Sequence, residues 1–369
     1  MVGKSDMKNL ERIVNMNVLL TIIVGAAVGM LFLRLKVPAG MLVGALLGAA
    51  VLNIAFDAAQ VPSVMKTISQ GIAGAYVGSS VERNDLIRLK IIAKPFSLVI
   101  ASFFLLNLIM GFVIHHLGHV DLLTSFMACV PGGVSDIALV TSDLGGDPAI
   151  VAIFHFVRSV TVLTMFPTIV IRLDRRRLKR QGKSESDEQP GKRPDASDDK
   201  KSQKQKGSFG LTAGVTVVFT ILGKVVGIPA GPLLFSMASV LALKLFTEKA
   251  YLPLWSKRAG QILSGCFIGS GIHQSDMPKL YMLLIPIILM LIAVLVNFII
   301  VGHILYRKFN YGYRESLLMS MPGGASEMAF IAPDLGVYGA DVVVMQVTRL
   351  LIVLSIFPPI FSAIVSVLS

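Results

Sequence analysis

Charge is what this chain has least of. Charged residues fill 15% of its 369 positions, where a soluble domain carries about 25%. Too little polar surface is left to cover a core in water, which excludes an ordinary soluble globular protein. Cysteine is nearly absent as well. Cys129 and Cys266 stand alone in apolar stretches with no Cys-x-x-Cys pair, which excludes a disulfide framework. No P-loop, nucleophile elbow or dinucleotide fingerprint sits between a strand and a helix. What fills the chain is apolar: 54% hydrophobic residues and a mean hydropathy of +0.74. This composition predicts a multi-pass membrane protein. Residues 1–16 are polar, and the apolar run 17–33 leads to Arg34 without a small-residue cleavage site. The run therefore reads as a first membrane helix and not as a signal peptide.

The net charge of +12 is concentrated in one place. Segment 172–208 holds 13 Lys/Arg and 7 Asp/Glu, with few apolar residues after Leu178. It predicts a disordered basic linker on the cytoplasmic side. Anionic lipid or nucleic acid is an alternative partner for its run Arg175–Arg180, but the expectation is a topology anchor and no nucleic acid.

The chain repeats itself. Pro131-Gly132-Gly133-Val134-Ser135-Asp136-Ile137-Ala138 returns 191 residues later as Pro322-Gly323-Gly324-Ala325-Ser326-Glu327-Met328-Ala329. The same offset aligns Val37-Pro38-Ala39-Gly40 with Ile228-Pro229-Ala230-Gly231, and Gln70, Gly74 and Gly78 with Gln261, Gly265 and Gly269. It also aligns Asp143-Leu144-Gly145 with Asp334-Leu335-Gly336, Arg158 with Arg349, and Phe166-Pro167 with Phe357-Pro358. Between 131–167 and 322–358, 15 of 37 positions are identical without a gap. Shared apolar composition matches Leu and Val; it does not align Pro, Gly, Arg and Asp.

Each half yields six apolar segments: 17–33, 38–56, 64–81, 92–115, a broken 122–142 and 149–171, then 210–227, 229–246, 259–272, 281–305, a broken 316–333 and 341–367. If the broken segments are re-entrant, each repeat has five crossings and the two repeats lie inverted. Arg34/Lys36, Arg83/Arg88/Lys90, Lys244–Arg258 and Arg307–Arg314 then share the side of the linker, as the bias of Lys and Arg toward cytoplasmic loops favours. If the broken segments cross fully, the repeats are parallel and the basic Arg83–Lys94 loop is forced outside. The fold expected is an all-α polytopic membrane protein of two inverted repeats, each of about five transmembrane helices plus a Pro-Gly-Gly hairpin. Its parts are a polar tail 1–16, repeats 17–171 and 209–369, and the linker 172–208 between them.

A helix broken within lipid frees N–H and C=O groups that need partners, and a carboxyl there is costly. A chain that does both twice is predicted to use them. Gly132, Gly133, Gly323 and Gly324 either present backbone groups to a solute or serve as packing kinks. Asp136 and Glu327, beside Ser135 and Ser326, either couple transport to protons or sodium or pair with Arg158 and Arg349. Those arginines either bind an anion bidentately or hold the hairpins. His155 and Gln346 lie one turn earlier on the same helix face. Asp143 and Asp334 read as loop caps, with the ion path as the alternative. Gln70 and Gln261 share a helix face with small-xxx-small glycines, a pattern of close helix packing, and the glutamines are within reach of the cavity. His115, His116 and His119 resemble a metal cluster, but their repeat mates are Tyr306, Arg307 and Asn310, so the feature lies outside the duplicated pattern. No metal, no cofactor and no catalytic residue are expected.

The duplicated Pro-Gly-Gly-x-Ser-[Asp/Glu]-x-Ala…Asp-Leu-Gly…Arg…Phe-Pro pattern resembles the bacterial AbrB-type membrane protein family over about 17–369. Its members carry the labels ammonia monooxygenase and transport regulator. The resemblance implies the same duplication and a multi-pass protein of a bacterial inner membrane. The architecture is also similar, at the level of fold, to cation-coupled anion transporters of the citrate–sodium symporter kind. Together these imply a secondary transporter for a small anionic solute and a coupling cation, possible as a homodimer in the bilayer. The alternatives are a membrane-bound monooxygenase, which lacks metal ligands here, and a membrane-embedded regulator of gene expression.

Overall fold

A computed structural model describes residues 4–35, 37, 39–81, 83–181, 207–247, 249–274, 281–323, 335, 337 and 340–368. Among them thirteen helices occur, and no strand beyond a single bridge between Ser208 and Ala250. The first half runs α1 (Lys4–Arg34), α2 (Gly40–Phe56), α3 (Ser63–Ser79), α4 (Arg83–Gly118), α5 (Leu122–Cys129), α6 (Val134–Asp143) and α7 (Pro148–Gln181). The second runs α8 (Phe209–Val226), α9 (Gly231–Thr247), α10 (Leu254–Ser270), α11 (Leu284–Phe309), α12 (Tyr313–Met319) and α13 (Ala340–Leu368).

Among the described residues six helices are long and apolar enough to cross a membrane: 16–34, 88–118, 148–180, 209–226, 284–309 and 341–368. Ten were expected from the sequence. The helices α2, α3, α9 and α10 have 17 residues each, about 25 Å at 1.5 Å per residue. They are shorter than the roughly 20 residues that span the hydrocarbon without tilt, and Lys66, Lys257 and Arg258 dilute the hydropathy of α3 and α10. The long helices show a lipid-compatible face. On α11, Ile285, Ile288, Ile292, Val296 and Ile300 are exposed at helical spacing, while Met290, Val294, Phe298 and Leu305 are buried opposite them.

Three helix ends lie nine or more residues from expectation. The first helix starts at Lys4, inside the expected polar tail, and α7 continues to Gln181, ten residues into the expected linker. The third is α4, which starts at Arg83 instead of 92, so most of the expected basic loop Arg83–Lys94 is helix. None of these extensions contains Gly or Pro to stop a helix. The α7 extension is also anchored: Asp174 is fully buried, and one of its oxygens accepts from Arg314 Nε at 2.6 Å. The rest of the expected linker, 182–206, lies outside the described residues.

The halves meet through α2, α3, α9 and α10, and the contacts are exchanged between them. Helix α3 packs on α9 as α10 packs on α2. A Cβ added at Gly74 would strike the Leu233 carbonyl, and one at Gly265 would strike the Leu42 carbonyl. Gly78 and Met237 repeat the approach, as do Gly269 and Leu46. Each of these partners is its counterpart's position shifted by 191. These helices come close because no side chain separates their backbones. Lys66 near the start of α3 lies 5.3 Å over the ring of Phe267 near the end of α10. Lys257 near the start of α10 lies 4.3 Å over Tyr76 near the end of α3. The two helices therefore run antiparallel.

Candidate functional site

Helix α5 starts on Asp121, whose carboxylate accepts from the Thr124 amide at 2.8 Å, and stops at Val130 because Pro131 cannot continue it. The chain turns through Pro131, Gly132 and Gly133 and re-enters helix at Val134. The Asp147 amide donates to Thr124 Oγ1 at 2.8 Å, so the end of α6 returns to the start of α5.

A broken helix leaves its last carbonyls without intrahelical donors. Arg158 and His155 of α7 supply them. Arg158 donates from Nη1 to the Val130 carbonyl at 2.8 Å and from Nη2 to the Gly132 carbonyl at 3.1 Å, and His155 Nε2 lies 3.1 Å from the Met127 carbonyl. The second half repeats the pattern on α12 and α13. Arg349 donates to the Met321 carbonyl at 2.6 Å and to the Gly323 carbonyl, and Gln346 Nε2 donates to Leu318 at 2.9 Å. Every donor and every acceptor is displaced by 191 residues from its counterpart. Even the turn repeats: the Gly132 amide donates to Val130 at 2.9 Å and the Gly323 amide to Met321 at 2.9 Å. All four clamp side chains are buried, Arg158 and Arg349 at 3% and 2% exposure.

The carbonyl end of each break is thus occupied by a cation. The N–H end of α6 is different. Its cap residue Gly133 contributes no side-chain hydrogen bond, and the first turn carries the buried Asp136. Ser135 Oγ donates to Asp136 Oδ1 at 2.9 Å. The carboxylate folds back over Gly133, where an added Cβ would strike Oδ2. The acid thus sits near the positive end of the helix dipole. Gly132 faces Val353 of α13, four residues beyond Arg349 in sequence, so the first break lies against the helix that clamps the second.

Asp143, at the far end of α6, ties three elements together. Its oxygens meet Lys66 Nζ at 2.6 Å, Gln70 Nε2 at 2.5 Å and the Ala230 amide at 3.0 Å. It is an inter-helix node and more than a loop cap. The sequence reading had linked Gln70 to the cavity but missed Lys66 and Lys257. Their alignment at the 191 offset, 66 with 257, is the signal that would have found them. Gln261 is half-buried on α10. Gly324, Ser326, Glu327 and Asp334 lie outside the described residues.

At the end where α7 leaves the bundle, Arg177 stacks 4.9 Å from Tyr306 and 5.2 Å from Tyr313. Burial, reinforced by the negative charge of Asp341, raises the Glu315 carboxyl above its ordinary range, while a backbone bond from Gly312 works the other way. His115 Nδ1 lies 2.6 Å from the Val120 carbonyl. Among the described residues no three His, Cys, Asp or Glu side chains gather as a metal site.

Among the described residues, the all-helical architecture and six helices long and apolar enough to cross a membrane give a membrane-like helical protein. A family model described as "Transition state regulatory protein AbrB" matches residues 2–174 and 95–365, and the chain belongs to that family. It is similar to "Uncharacterized protein YhjN" of Bacillus subtilis (strain 168), 23% identical over 80% of this chain and 77% of the relative. It is also similar to "Putative regulator AbrB" of Escherichia coli (strain K12), 25% identical over 42% of this chain and 45% of that protein.

Proposed function

We propose that this protein is a secondary transporter of a bacterial inner membrane, moving a small anionic solute coupled to protons or sodium. In this reading the two repeats are inverted. Each has five crossings and a re-entrant hairpin made from its broken segment, and the short helices α2, α3, α9 and α10 cross where the protein thins the bilayer or the helices tilt. Inverted repeats joined at interrupted helices suit alternating access around a midplane site. The antiparallel course of α3 and α10 supports the inversion, because a two-fold axis that reverses two spanning helices lies in the membrane plane. The return of Asp147 to Thr124 supports the hairpin.

The observation that carries the reading is the paired clamp. With the carbonyl ends satisfied by Arg158 and Arg349, the N–H end of α6, which the Asp136 carboxyl overlies, is the anion-attracting group and opens to a solute when that acid is protonated. We assign contact with the solute to Gly132, Gly133 and Ser135, and by the repeat to Gly323, Gly324 and Ser326. The arginines position the tips and contribute positive charge. Asp136, with Glu327 as its repeat mate, is the coupling acid. Asp143 joins the first hairpin to the glutamine-bearing helix α3, and Asp334 is assigned to the ion path only as its repeat mate.

Two measurements test this. Small carboxylate and phosphate anions are screened for stabilisation of the purified full chain, with and without sodium and at two pH values. At least one anion should raise the melting temperature in a cation-dependent way, and Gly133→Ala should abolish the rise. Absence of any stabilising anion sinks the transport reading. Separately, single cysteines replacing Ser63 and Leu254, which are repeat mates at the starts of α3 and α10, should label from opposite faces of right-side-out cells. Labelling from the same face defeats the inversion.

A further inference from the structure

Helix α7 has 34 residues, about 51 Å, against a hydrocarbon core of about 30 Å. Its apolar stretch ends near Ile171, so the last ten residues emerge at the level of the lipid headgroups. On this stretch the side chains divide cleanly. Arg172, Arg176, Lys179 and Arg180 are exposed, and their spacing of i, i+4, i+7 and i+8 puts them on one face. None of the four forms an ion pair with an acid among the described residues. The opposite face is buried against the second half: Val170, Asp174 and Leu178 are at most 2% exposed.

The buried face is linked to a moving part of the proposed architecture. Asp174 accepts from Arg314 Nε at 2.6 Å, and Arg314 also donates to the Leu335 carbonyl at 3.2 Å. Arg314 belongs to α12, the first arm of the second broken segment, and Leu335 lies in the chain that follows that segment. The contact has no counterpart in the first half, where Asp174 aligns with Val365 and Arg314 with Leu123.

We propose that the exposed face of the α7 extension is a binding site for anionic phospholipid headgroups, and that the Asp174–Arg314 latch transmits its occupancy to α12. Four cations held on a helix that is continuous with a membrane span meet headgroup phosphates without any ordering of the chain. Juxtamembrane clusters of this size draw on the negative surface potential of the leaflet, with about 1 kcal/mol for each cation, or about fivefold in partition. A flexible basic tail would gain the same attraction, but no force could pass along it. Here the helix is rigid, and its inner face grips Arg314. The inference depends on the membrane span of α7 and not on the transport reading, so either stands if the other fails.

The full chain is placed in nanodiscs of phosphatidylcholine alone or with phosphatidylglycerol. Native mass spectrometry counts retained lipid, and hydrogen exchange follows the backbone of 313–319. Phosphatidylglycerol should be enriched on the protein and should slow exchange in α12. The quadruple variant Arg172→Gln/Arg176→Gln/Lys179→Gln/Arg180→Gln changes only exposed side chains; it should lose the enrichment and the slowing together. Asp174→Asn should keep the enrichment and lose the slowing. Equal retention of both lipids, equal retention by the quadruple variant, or displacement of the lipid by added oligonucleotide at physiological salt overturns the lipid site. Slowing that persists in Asp174→Asn overturns the latch.

Discussion

The two broken segments of this chain solve one physical problem with almost the same parts. In the first, Arg158 and His155 donate to the carbonyls of Val130, Gly132 and Met127; in the second, Arg349 and Gln346 donate to Met321, Gly323 and Leu318. The arginine is kept in both copies, whereas His and Gln exchange. Arginine offers two donors in a fixed fork, which a pair of carbonyls two residues apart requires. Position 155 or 346 needs only one N–H, and a neutral imidazole or an amide provides it equally. The surroundings diverge further. Arg349 lies 5.2 Å over the ring of Phe103, and α12 is latched to Asp174; at the 191 offset Phe103 aligns with Val294 and Asp174 with Val365, so neither side chain is duplicated. What is common to the copies identifies what a buried helix break needs. What differs identifies where each copy has been fitted to its own neighbours.

The largest expected effect comes from removing a fork. Arg158→Ala or Arg349→Ala leaves at least two buried carbonyls without donors, at about 1–3 kcal/mol each. Folded yield and melting temperature of the purified variants should fall severely and by similar amounts. If one arginine can be lost at little cost, the two breaks are not equivalent. Next in size is the crossing between the halves. Gly74→Ala and its mate Gly265→Ala force a Cβ into the backbone of the facing helix, and overpacking of this kind costs about 1–3 kcal/mol. The two should match each other within error in denaturation of the solubilised protein, and a large difference between them would show that the exchange of contacts is only approximate.

Smaller again is Lys66→Met, which keeps the stem and deletes the charge opposite Asp143. The pair is 14% and 20% exposed, so water shares the load, and Gln70 and the Ala230 amide still hold the carboxylate. A loss of about 1 kcal/mol is expected in a thermal unfolding series. Restoration of stability by the added change Asp143→Asn would show that the cost was an unpaired acid; no restoration would place it in lost packing of the lysine stem.

Much of this was readable before any coordinates, and the reason is specific. A fixed offset of 191 pairs Arg158 with Arg349 and Gly74 with Gly265, and duplicated residues must satisfy the same local geometry twice. Composition and run length likewise anticipated the six helices that are long and apolar enough to cross a membrane among the described residues, though the same reading expected ten. What the residues could not reveal was direction. Nothing in the spacing of Arg158 tells whether it faces an anion, a carboxylate or a carbonyl, because its partners lie 26 to 29 residues away and are main-chain atoms that carry no side-chain signature. The α7 extension was missed for a related reason. A run of Arg and Lys reads as solvated linker, and only Asp174, buried against a residue 140 positions later, turns it into anchored helix.

The smallest effect isolates the one difference within the clamp. His155→Gln installs in the first break the donor that the second already uses, and its Nε2 can reach the Met127 carbonyl as Gln346 reaches Leu318. Volume changes little, the hydrogen bond is kept, and the melting temperature should move by less than about 1 kcal/mol equivalent. His155→Leu fills the same space without the donor and should cost about 1–3 kcal/mol by orphaning a buried carbonyl. If Gln and Leu are equally harmful at position 155, the ring does more than donate one bond. Its Nδ1 lies 3.4 Å from Arg158 Nη2, and that contact would then be the place to look.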